Sequence, residues 1–275
     1  MINFKCFSKF LSFLFLMCLG YQTLAKAHSH SQQPSINLSV EKIINEKGKK
    51  TIIFKLTDAK TNQPITLNDL TEVHTQKIHM LIIDDSLSDY SHVHPTAASE
   101  PGVYYFAWQP LNKNANYRIW ADLVPKKTKK QEYVLANLYQ SKLNLVKVNT
   151  RNLLEANVNG YYFKLSFEQP KLVQGRATMG KIEVSNAQGT PLKSLEPLMG
   201  AYAHIVGFSE DFESVVHIHP MGLEPKVESD RGGPGLVFHI EPNKAGFIKL
   251  FAQVKINGRE YFAPFGLRVE PNNVL

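Results

Sequence analysis

Two histidine triads with the same internal spacing stand out in this chain. His79 is followed by His92, His94 and Pro95, and His204 is followed by His217, His219 and Pro220. Both read His-x12-His-x-His-Pro, so the chain contains a duplication. Neutral imidazole is a good ligand for zinc and copper, and three protein nitrogens with one open position is a known coordination pattern. Three imidazoles gathered in an interior without partners would be costly to bury. The expected chemistry is therefore binding of copper or zinc. The alternative is a hydrogen-bonded corner, with each imidazole on a backbone carbonyl or a carboxylate such as Glu72, Glu196, Asp211 or Glu213. A duplication copies structural residues as faithfully as ligands.

The two copies are not equal. His239 aligns with Ala107, so only the second copy has a further imidazole, and Glu224 follows His219 closely. The second set, His204, His217, His219, His239 and Glu224, is the better place to look for function. The first set, His79, His92 and His94, could be only architectural. His74 has no counterpart and reads as an exposed loop histidine. Met80 would favour Cu(I) if its thioether joined the site, but a regular strand turns it away from His79.

Hairpins are needed to position these residues. Lys77–Asp84 and Tyr90–His94 read as strands joined by a turn rich in Asp and Ser. His92 and His94 are two apart and share a strand face. His79 joins that face if it pairs directly with either, and a slip of one residue sends it to the other side. Tyr202–Phe208 and Val215–His219 repeat the arithmetic. Pro95 and Pro220 are expected to end their strands, because proline cannot donate to the ladder.

Across the chain, runs of Ile, Val, Phe, Tyr and Thr alternate with Gly, Pro, Asn and Asp, and no long 3.6-residue apolar period appears. Six or seven short strands per half predict an all-β protein of two tandem immunoglobulin-like β-sandwich domains. The halves also align outside the triads: Glu132-Tyr133 matches Glu260-Tyr261. The expected division is a leader at 1–27, a first repeat at 28–150 and a second at 155–275.

The leader reading rests on Lys5 and Lys9, the apolar run Phe10–Gly20 and the Ala25-Lys26-Ala27 cleavage signal. It predicts export to the periplasm or the extracellular space. No later run is long enough to span a membrane. Cys6 and Cys18 are the only cysteines and both fall in the leader, so the mature chain would have no disulfide or thiolate site. The net charge of +7 becomes mild without Lys5, Lys9 and Lys26. The dense run Lys126–Lys130 reads as a solvated hairpin tip, and nucleic acid is not an expected partner. The expected partners are a metal ion and, as a candidate, another envelope protein. Arg231–Gly235 lacks the lysine of a phosphate-binding loop and reads as an ordinary loop.

The second half carries Gly189-x-Pro191-Leu192, then Leu195-Glu196-Pro197-Leu198-Met199-Gly200-Ala201, His204, His217-Ile218-His219-Pro220, Gly233-Pro234 and Phe238. This order resembles an uncharacterised family of secreted bacterial β-sandwich domains with a Leu-Glu-Pro, Gly-Ala, His and His-x-His-Pro motif. The resemblance covers roughly Gln188 to Phe265. The first half keeps His79, His92, His94 and Pro95 but lacks the Leu-Glu-Pro and Gly-Ala parts. The resemblance implies an exported β-sandwich and points towards heavy-metal or copper handling. A looser resemblance to cupins rests on the order His217, His219, Glu224, His239, although the glycine spacing does not match. It implies a metalloenzyme centred on the second repeat. The residues favour an exported metal-binding protein over that enzyme and over a structural or adhesive module.

Overall fold

Strand β2 (Lys49–Asp58) shows how the sequence builds its layers. Ile52, Phe54 and Leu56 are fully buried, while the residues between them are only half-buried. That period of two is what a sheet with one face on a core requires. The structure is a computed structural model that describes residues 33–139, 147–216 and 218–272. The expected leader and His217 lie outside the described residues, and the side chain of His219 is likewise not described.

The first repeat comprises β1 (Ile36–Glu46), β2, β3 (Leu70–Thr71), β4 (His79–Asp84), β5 (Tyr90–Val93), β6 (Thr96–Ala97), β7 (Val103–Trp108), β8 (Tyr117–Pro125) and β9 (Glu132–Tyr139). One sheet runs β1-β2-β7-β6. The other runs β3-β8-β4-β5, with β9 also paired to β8. The second repeat comprises β10 (Glu155–Val158), β11 (Tyr161–Phe167), β12 (Leu172–Val173), β13 (Thr178–Ser185), β14 (His204–Ser209), β15 (Val215–Val216), β16 (Ile218–Met221), β17 (Gly235–Ile240), β18 (Gly246–Ile256) and β19 (Arg259–Glu270). Its sheets run β10-β11-β13-β17-β16 and β12-β19-β18-β14-β15. The repeats thus share one plan: β1-β2-β7-β6 corresponds to β11-β13-β17-β16, and β9-β8-β4-β5 to β19-β18-β14-β15. The protein is all-β, two β-sandwich repeats in tandem. Among the described residues no helix is long and apolar enough to cross a membrane.

Each repeat encloses its own core. Phe54, Tyr104, Phe106, Trp108, Tyr117 and Ile119 are central to the first, and Phe163, Phe238, Leu250, Phe265 and Leu267 to the second. A third cluster joins Leu81, Ile83, Leu87 and Trp120 to Val206, Phe208 and Phe251 of the second repeat. This explains why all six residues of β4 are buried. Met80 and Ile82 face the first core, while Leu81 and Ile83 face the other repeat. The equivalent sheets of the two repeats therefore pack outer face to outer face, and Pro34–Leu275 forms one compact unit.

Two local expectations need correction. Val215–His219 is not one strand: β15 pairs with β14 in one sheet and β16 pairs with β17 in the other. Pro220 does not end a strand but lies inside β16, opposite Phe238. It is tolerated because β16 is an edge strand, where a missing N–H breaks no ladder. Pro95 does fall between β5 and β6. The Lys126–Lys130 run turns between β8 and β9, mostly exposed.

Candidate metal centre

The β4–β5 hairpin sets the geometry. Met80 pairs with Val93 and Leu81 with His92, so the same register places His79 opposite His94, just beyond the end of β5. All three imidazoles therefore share the outer face of the sheet, while Met80 goes into the core of its own repeat. The second hairpin keeps this register: Phe208 faces Val215 as Ile83 faces Tyr90.

At the triad, His79 Nδ1 lies 3.0 Å from His92 Nε2 and 3.2 Å from His94 Nε2. The other nitrogens have fixed partners. His79 Nε2 is 3.0 Å from the Val73 carbonyl, and His92 Nδ1 is 2.8 Å from Gln253 Oε1. Gln253 donates its amide nitrogen to Glu260 at 2.7 Å, so its oxygen must be the atom facing His92. A carbonyl and an amide oxygen only accept. His79 Nε2 and His92 Nδ1 must then carry the protons, an assignment inferred from the partners. The facing atoms, His79 Nδ1 and His92 Nε2, are two bare lone pairs 3.0 Å apart. That contact is repulsive unless a cation lies between them. Metal–nitrogen bonds of roughly 2.0–2.1 Å in a tetrahedron separate ligand nitrogens by about 3.3 Å, close to the observed spacing.

The electrostatics suit ligation as well. Burial lowers the His79 pKa to about 4, helped by His94 and His74 and opposed by the Val73 carbonyl. Burial, with the neighbouring His79, lowers His92 to about 3. Burial also lowers His94, while the charge of Glu260 pulls it the other way. The imidazoles are therefore neutral near pH 7, the form that binds metal. His94, half-exposed, is the solvent side of the triad.

Among the described residues, His79, His92 and His94 form the group whose ligand atoms lie close enough to hold a metal ion. His204 packs beside them, with ring centroids 5.8 Å from His92 and 6.2 Å from His79. His239 is half-buried on β17, in the sheet of its repeat that does not contain β14, and its backbone pairs with that of His219. Glu224 is exposed in the loop after β16. Neither joins the triad. Apart from His239, the described imidazoles thus gather around the copy that looked poorer in sequence, at the face between the repeats.

Sequence reasoning missed three neighbours. His74 is not an exposed loop residue: it is half-buried, edge-on to His204 at 4.8 Å, with its backbone at a positive φ of 51°. Gln253 is buried and bridges the repeats. Glu260 orients Gln253. Only Glu260 carried a signal, as the partner of Glu132 in the internal alignment. A cavity of about 170 Å³ beside the triad is lined by His74, His92, Asp122, Tyr133 and His204. Burial raises the Asp122 carboxyl to about 7, against the hydrogen bond from Gln131.

A family profile described as "Domain of unknown function (DUF8832)" matches residues 29–137 and again 156–271. No curated protein matches the chain. Similar solved structures include MtrC from Shewanella baltica OS185, at 6% identity over 84% of this chain and 68% of that one, with a TM-score of 0.24. The D00-D0 domain of intimin gives 12% identity, 84% and 98% coverage and a TM-score of 0.23. Domains 4–9 of the surface layer protein SbsC give 13%, 86% and 32%, and 0.26.

Proposed function

The chain belongs to the DUF8832 family, whose domain it carries twice, and on that premise we propose that it is an exported metal-binding protein holding zinc or copper through His79, His92 and His94. One observation carries this reading. Two imidazole nitrogens that must both be bare face each other at 3.0 Å, while their opposite nitrogens are pinned by Val73 and Gln253. Outer-shell partners of this kind are what fix a ligand's tautomer in metal sites. A purely structural corner would not point two lone pairs at each other. All the donors are imidazole nitrogens and Met80 is turned into the core, which favours Zn(II) or Cu(II) over Cu(I). Export rests on the leader read in residues 1–27. The role is metal handling rather than catalysis.

Titration of the metal-free protein with Zn(II) and Cu(II) against a competing chelator tests the site. The wild type should take up one equivalent that the His79→Ala, His92→Ala double variant does not. Equal uptake by the two proteins would end the reading.

A further inference from the structure

The second repeat reaches the triad from across the interface at three points. Gln253 fixes His92, the charge of Glu260 acts on His94, and His204 presents its ring to both His79 and His92. His204 is the unexplained member. Its Nε2 is sealed from solvent and has no hydrogen-bond partner. Its ring is held by the backbone of Met199, which must therefore engage Nδ1. Nδ1 then carries the proton and Nε2 is a bare, buried acceptor. A native interior seldom leaves such an atom unpaired without a use for it.

The ring spacing to the triad points to such a use. Centroids within the triad are 5.0 to 5.2 Å apart. Rings bound through one nitrogen to a common tetrahedral ion stand about 5.2 Å apart, given metal–nitrogen bonds of roughly 2 Å. His204 stands at 5.8 Å from His92 and 6.2 Å from His79, so closure of about 1 Å brings it to that spacing from these two rings. We propose that His204 is the fourth ligand of the metal held by His79, His92 and His94, so that a divalent transition-metal ion clips the two repeats together. This rests on the triad being a metal site, and it adds a ligand from the other repeat. The ligand set is then not either repeated triad but three residues of one copy and the first residue of the other. In the duplicated pattern, the equivalent His79 and His204 become partners on one ion.

The test uses the whole protein with Co(II) and Zn(II) as probes, in the wild type and in His204→Leu, His204→Gln and His92→Ala. The expected result is a tetrahedral Co(II) absorption band in the wild type that weakens in both His204 variants and returns on adding free imidazole. Zn(II) affinity should fall by at least about tenfold, the lower end of what loss of even an outer-shell partner costs. Unchanged affinity and an unchanged band in both His204 variants would overturn the fourth-ligand assignment while leaving the triad intact. A wild type that binds no better than His92→Ala would instead overturn the triad reading, and the clip with it.

Discussion

At the scale of single residues, the site depends on which nitrogen of each ring carries a proton. His92 cannot choose freely, because Gln253 offers it an oxygen, and Gln253 cannot flip, because Glu260 takes its amide. A carboxylate in the second repeat thus sets the tautomer of a proposed ligand in the first. Replacing Gln253 by Ala should therefore cost roughly 10–100-fold in metal affinity although the residue lies outside the ligand set. Chelator competition measures this, and a loss below about twofold would show that His92 needs no such partner. Met80 illustrates the opposite case: beside His79 in sequence, it is committed to the core by the alternation of the strand.

At the scale of elements, the hairpin was the most legible feature. The His-x12-His-x-His spacing puts all three rings on one face when His79 pairs directly with His92 or His94, and the observed register places it opposite His94. The strand runs around the cores were readable for the same reason, a period of two with large apolar residues. β1 was not, because Ile36–Glu46 mixes Lys, Glu, Asn and Ser into an edge strand and shifts register between Val40 and Lys42. The split of β15 from β16 was also hidden, since a strand that changes sheets keeps its β-forming composition. The contacts of His74, Gln253 and His204 could not be read at all. They arise where two repeats meet, and no local period encodes which outer face is covered. The repeats also differ in detail. Gly207 stands in β14 where β4 has the buried Ile82, and a Cβ there would come within 2.9 Å of Ile248 and 3.0 Å of Val216. Gly207→Val should overpack the second core and destabilise the protein by about 1–3 kcal/mol. Denaturant midpoints would show this, and an unchanged midpoint would mean the core has slack that the packing denies.

At the scale of the whole molecule, burying so many imidazoles ties stability to pH. His79, His92, His94 and His204 all lie below the ordinary value of 6.5, with burial the leading cause. The unfolded chain therefore binds protons first, and stability is lost as pH falls from about 6.5 towards 4 and below. Asp122, raised to about 7, acts in the opposite sense, because the fold holds its proton while the unfolded chain has released it. Four groups outweigh one. The metal-free protein should have a lower urea midpoint at pH 4.5 than at pH 7, and the reverse order would refute the burial of the cluster. Metal binding at the proposed site would offset that cost by using the neutral rings, and with His204 as a ligand it would do so across the interface that joins Leu81 and Trp120 to Val206 and Phe251.

X-ray absorption at the zinc edge of protein loaded with one equivalent reads that centre most directly. A shell of three or four imidazole nitrogens at about 2.0 Å is the predicted result, and its disappearance in the His79→Ala, His92→Ala variant completes it. A shell of oxygen ligands, or a spectrum that the variant leaves unchanged, would contradict it.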